Sequence, residues 1–227
     1  MLLLAIDTSG QSGGISLAEA GDEPFRLIES SPIAGGTFSA QLIPTLATLL
    51  SKHRYRAVDL GGFAAASGPG SFTGLRVGLS AIKGLAEVLH KSIATVSVLE
   101  AMATSSDRRG TIAAALDAGR AEVFLGLYEV HDGMLAKQQS EELLSQPAFL
   151  ERLRTAQPID LITSDPSLFQ LATGTNVAAR LVSRPGSEAI ARIGARKLLA
   201  GDITSVETLD ANYLRRSDAE IFFKGQR

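Results

Sequence analysis

The sequence contains no cysteine and no tryptophan. Without cysteine there is no disulfide, no thiol nucleophile and no thiolate metal site. Aromatic residues make up only 5% of the chain, so there is no run of rings on which single-stranded bases could stack. His53, His90 and His131 are isolated. None has a second histidine three or four residues away, so the helical His-xxx-His metal pair is missing, and each reads as a residue at a helix end or turn. Ser9, Ser71 and Ser97 show no partners for a nucleophilic triad, and Gly-x-Ser-x-Gly is absent. The carboxylates are scattered: Glu141, Glu142, Asp218 and Glu220 read as solvated, with no pair spaced for shared acid and base work.

An excess of charge of one sign is lacking too. A net charge of -2 and an isoelectric point near 6.0 leave no basic footprint for gripping phosphates. No apolar run reaches the ~18 residues that span a membrane. Leu2 to Ile6 is too short for a signal segment and meets acidic Asp7 at once. The expectation is a cytoplasmic protein.

With 227 residues, 45% of them hydrophobic, the chain can bury one large core or two small ones. Its central stretch is Ala64 to His90, AAASGPGSFTGLRVGLSAIKGLAEVLH. A small-residue strand over 62–67 breaks at Gly68-Pro69-Gly70 and becomes helical from about Ser71, whose hydroxyl can accept from the amide of Thr73 or Gly74. A glycine loop before a helix can bind anions or can simply make the turn. The loop is neither a Walker motif nor a dinucleotide fingerprint.

At 3.6 residues per turn, Leu75, Leu79, Ile82, Leu85, Ala86 and Leu89 share one face of this helix, and Val77, Ala81, Gly84 and Val88 share a second. The apolar arc is roughly twice the ~100° stripe of an ordinary surface helix. Residues 37–53 give a second wide helix: Phe38, Leu42, Leu46 and Leu49 lie together, Ile43, Ala47 and Leu50 extend them, and Pro44 marks a kink or the end of the first turn. Two such helices are hard to bury in one small domain, which points to a helical docking surface.

The remaining pattern alternates strands and helices. MLLLAID is a buried strand, 8–13 a turn, 14–19 a returning strand and 25–30 a third. Strands follow at 92–98, 111–116, 122–130, 159–163 and 177–182. Helices are expected at 99–104, 147–156 and 165–172, and from a Ser187 cap to Ala200 with Gly201 as the stop. The strand, Asp117-Ala118-Gly119-Arg120 turn and returning strand repeat the plan of residues 1–19, which implies an internal duplication. The best linker is 105–110, dividing the chain into 1–104, with the docking helices, and 105–227, whose terminal segment could pack back on the first.

GPGSFTGLRVG followed by AIKGLAE resembles the signature of the TsaB (YeaZ-like) family, bacterial partner subunits in the synthesis of N6-threonylcarbamoyladenosine on tRNA. In the 37–53 helix, Ser39 and Leu42-Ile43-Pro44 match the family's His-Ser and Leu-Leu-Pro pattern, with Phe38 standing where the family has a His. The 117–124 turn is similar to its Asp-Ala-Arg and Glu-Val-Tyr, with Gly119 inserted and Phe124 for Tyr. Asn212-Tyr213-Leu214-Arg215 is similar to its terminal Tyr-Leu-Arg, with Ala211 and Asn212 in place of a proline-containing approach.

The resemblance implies a duplicated actin-like (ASKHA, ribonuclease H-like) α/β fold with two small subdomains of mixed sheet flanked by helices. It also implies a chain that has lost the metal site and supports a homologous catalytic subunit, TsaD, with the ATPase TsaE, in modifying position 37 of ANN-decoding tRNAs. The docking residues it implies are Phe38, Leu42, Ile43, Leu46, Leu49, Leu50, Leu75, Leu79, Ile82 and Ala86. A homodimer is expected when the chain is alone, tRNA is met only through the complex, and no metal or catalytic residue is assigned. Whether a nucleotide sits at the partner interface stays open. The competing reading is an ATP-dependent small-molecule kinase of the same architecture, with Asp7, Gly70 and Ser71 at the phosphates. A peptidase ranks last, for want of a metal pair or a nucleophile constellation.

Overall fold

The computed structural model describes residues 1–21, 24–105, 109–155, 159–175, 177–212 and 214. Two compact units emerge. The first holds Met1–Ala101 and Pro185–Ala211, the second Met102–Arg184 and the chain from Asn212. The first unit thus takes in a late segment as well as nearly all of 1–104.

The first unit is built on a five-stranded sheet in the order β3-β2-β1-β4-β5. Its strands are β1 (Leu2–Asp7), β2 (Ser12–Glu19), β3 (Arg26–Ala34), β4 (Leu60–Gly68) and β5 (Ile93–Ser97). The β1–β2 and β2–β3 pairs are antiparallel, and β1–β4 and β4–β5 are parallel. β1 is central and buried throughout, as its unbroken LLLAI run requires of a strand covered on both faces.

Helices α1 (Phe38–Lys52) and α2 (Phe72–Leu89) cover one face. The Phe38 ring lies against Gly13, and Gly78 lies against Ile6; Gly13, Ile15 and Ile6 share that face by register. Helix α6 (Ser187–Leu199) covers the other, with Gly194 against Ala64 and Val96. The unit is therefore three layers. Helix α1 continues through Pro44 to Lys52.

Two details differ from expectation. Gly186, not Ser187, occupies the N-cap of α6, because the Ser187 hydroxyl is engaged by Ser16 at 2.7 Å, and Ser16 in turn by Ser30 at 2.6 Å. In addition, Lys197 of α6 donates to Glu100 at 2.8 Å and to the Thr95 carbonyl at 3.1 Å, a pairing that compensates the burial of the Glu100 carboxylate.

The second unit repeats the topology: β10-β9-β6-β7-β8 is the first order read in reverse. Here β6 (Gly110–Gly119) and β7 (Glu122–His131) form a hairpin, and β8 (Met134–Ser145) is the outer strand. Strands β9 (Asp160–Thr163) and β10 (Ala178–Leu181) run parallel to β6. The hairpin turns on two residues, Arg120 and Ala121, both with positive φ, the left-handed pair that matches strand twist. Helices α4 (Gln146–Thr155) and α5 (Pro166–Thr173) close one face, placing Phe149, Leu153, Leu168 and Ala172 on Leu125, Leu127 and Leu161. Helix α3 (Val98–Thr104) follows β5. The linker expected at 105–110 and the Tyr-Leu-Arg ending fall largely outside the described residues.

Candidate functional site

At the junction of β4 and α2, the sequence GPGSFTG forms a tight joint with the β1–β2 turn. Ser71 caps α2, its hydroxyl accepting from the Gly74 amide at 3.2 Å. The Ser71 amide donates to the Ser9 carbonyl at 2.7 Å. A Cβ at Gly70 would stand 2.1 Å from the Ser9 carbonyl oxygen. One at Gly74 would stand 2.1 Å from that of Thr8, and one at Gly78 2.3 Å from the Thr8 hydroxyl. Only glycine lets the helix seat this deeply.

Asp7 is 1% exposed, and its Oδ1 accepts from the Ser9 amide at 2.8 Å and the Ser9 hydroxyl at 2.6 Å. The structure thus brings Asp7, Gly70 and Ser71 together, but as parts of a packing joint in which the chain's own turn meets the loop amide. Beside it lies a pocket of about 510 Å³ lined by Gln11, Phe38, Ser39, Ser71, Thr73, Val77 and glycine backbone, without an ionisable side chain. Among the described residues no group of three or more His, Asp or Glu side chains could hold a metal ion.

The docking residues require a correction. Phe38, Leu42, Leu46, Leu49, Leu50, Leu75, Leu79, Ile82 and Ala86 are all buried in the chain itself, and of the ten only Ile43 is accessible, at 53%. These large residues form the stripe that α1 and α2 lay on their own sheet. The arc is as wide as its pattern indicates, yet the accessible part is the other half. On α1 it consists of Ala40, Ile43, Pro44 and Ala47, all exposed. On α2 it is Val77, Ala81 and Leu85, each half-buried, with exposed Gly84 and Val88, the last at 76%. Spacings of three and four residues make each set one continuous strip.

The far end of α1 is fastened to the strands by charge. Glu29 on β3 accepts from Lys52 at 2.8 Å and meets His53 Nε2 at 2.8 Å. Hydrogen bonds from Lys52, then His53, hold its carboxyl below the ordinary glutamate range. Glu19 on β2 accepts from Arg26 at 2.6 Å and from the Tyr55 hydroxyl at 3.0 Å. Arg26 foremost lowers the Glu19 carboxyl, while Glu19 raises the Tyr55 phenol. The outward strip of α1 is thereby presented on a helix held along its length. Of the other histidines, His90 is the left-handed C-cap of α2, and His131 pairs with Glu129.

Comparison with known proteins finds relatives that match nearly the whole chain. The family model described as TsaD: tRNA N6-adenosine threonylcarbamoyltransferase matches residues 32–172. The tRNA threonylcarbamoyladenosine biosynthesis protein TsaB of Bacillus subtilis is 30% identical over 97% of this chain and 96% of its own length. Its Escherichia coli namesake is 25% identical over 96% of each. Among solved structures, YeaZ from Pseudomonas aeruginosa superposes with a TM-score of 0.75 at 23% identity, covering 93% of this chain and 100% of that one. A second P. aeruginosa structure, of a protein described as similar to peptidase YEAZ, gives 0.76 at 25% identity over 94% and 99%. Whole-length sequence identity and a shared duplicated actin-like fold place the chain in the TsaB (YeaZ) family.

Proposed function

We propose that this chain is the partner subunit of a tRNA-modifying complex that makes N6-threonylcarbamoyladenosine, and that it performs no chemical step itself. It docks on the catalytic subunit TsaD, works with the ATPase TsaE, and meets tRNA only within the assembly, in line with its net charge of -2. The observation that carries the reading is the accessible apolar strip on α1 and α2, with Ile43 53% and Val88 76% exposed. Such a strip on two adjoining helices fits a surface that a partner covers. The names of the relatives support the pathway, both being tRNA threonylcarbamoyladenosine biosynthesis proteins. In the absence of TsaD, the same strip closes on a second copy.

The test is size-exclusion chromatography with light scattering, on the chain alone and mixed with TsaD of the same organism, for the wild type and for Ile43→Asp and Val88→Asp. The wild type is expected to run as a homodimer and to convert to a one-to-one heterodimer. Each variant should keep its circular dichroism spectrum and melting temperature yet bind TsaD at least about tenfold more weakly, because an unpaired carboxylate would be desolvated at the contact. Folded variants that bind TsaD as the wild type does would remove this face from the interface. A wild type indifferent to TsaD would overturn the reading itself.

A further inference from the structure

We draw no further inference here: the strongest candidate, the pocket of about 510 Å³ between the β1–β2 turn and the first turns of α1 and α2, adjoins the docking strip already described, and nothing in the structure shows what fills it.

Discussion

The two units share one strand plan and differ in what their helices show to the outside. In each, a central strand pairs antiparallel with the second strand and parallel with the fourth, while the third strand pairs antiparallel with the second and the fifth parallel with the fourth. After the third strand comes α1 in the first unit and α4 in the second; after the fourth come α2 and α5. Yet α1 and α2 have 15 and 18 residues, while α4 and α5 have 10 and 8. The short pair inserts Phe149, Leu153, Leu168 and Ala172 into its own core and turns Glu151, Arg152 and Arg154 of α4 outward. The long pair fills its core and still has apolar surface left over. A common scaffold thus fixes where helices lie, and the residues opposite the core decide whether a helix turns charged or apolar side chains outward.

The hairpins that begin the two sheets differ in the same sense. Asp7 is buried and tied within its turn. Asp117 is exposed, its amide donating to Asp165 at 2.7 Å. The sharpest way to break the comparison is to change one glycine packed against the first hairpin's turn and one within the second hairpin. Gly74→Val would drive side-chain atoms into the Thr8 carbonyl, 2.1 Å from the first of them, and backbone cannot give way as a flexible side chain can. A loss of about 3 kcal/mol or more is expected. Gly119 needs its φ of +69° but has nothing within 4 Å of a new Cβ, so Gly119→Ala should cost about 1 kcal/mol. Urea unfolding measures both; equal losses would mean that the α2 joint is not packed as described.

Next in size is the contrast across α1 itself. Leu46 is 5% exposed, three residues from Ile43. Leu46→Ala should lose about 2–5 kcal/mol through the cavity it leaves, while Ile43→Ala should change stability by no more than about 0.5 kcal/mol. Thermal unfolding of the two variants decides whether the inner and outer halves of the helix are assigned correctly; a reversal would exchange them. For the second unit, Leu181 on β10 is a comparably exposed apolar residue, at 50%. Leu181→Asp should bind TsaD within about twofold of the wild type. A loss matching that of Ile43→Asp would show that exposure alone, and not the strip on the long helices, determines docking.

Much of this was legible in the sequence, because its elements carry strong local patterns. The wide arcs of α1 and α2, the Ser71 cap and the repeated hairpin follow from periodicity and capping chemistry. Strand β8 did not declare itself. Its KQQSEE stretch is polar and lacks alternation, as an outer strand with much of its surface in solvent can afford to be. Local capping chemistry points to Ser187 for the cap of α6, but the serine's partner, Ser16, lies far away in sequence, and no local rule reveals a long-range hydroxyl contact. The burial of nine of the ten expected docking residues has a related reason. Periodicity shows that an arc is too wide, but only the sheet beneath shows which half is already covered.

The smallest expected effect sharpens the comparison at the fastened end of α1, for which the described charge contacts of α4 offer weaker counterparts: Arg152 to Glu142 at 3.6 Å and Arg154 to Glu151 at 3.7 Å. Glu29, bonded by Lys52 first and His53 second, ionises more readily in the fold than in the unfolded chain. Its contribution is therefore present above the ordinary glutamate range and is lost as pH falls through the lower folded-state value. Because the pair is accessible to solvent, the effect is modest and screened by salt. Glu29→Gln should lower the melting temperature slightly at pH 7, and the gap to the wild type should close in acid, where both side chains are neutral. A gap that stays constant across that range would mean that Glu29 acts on α1 through its shape and not its charge.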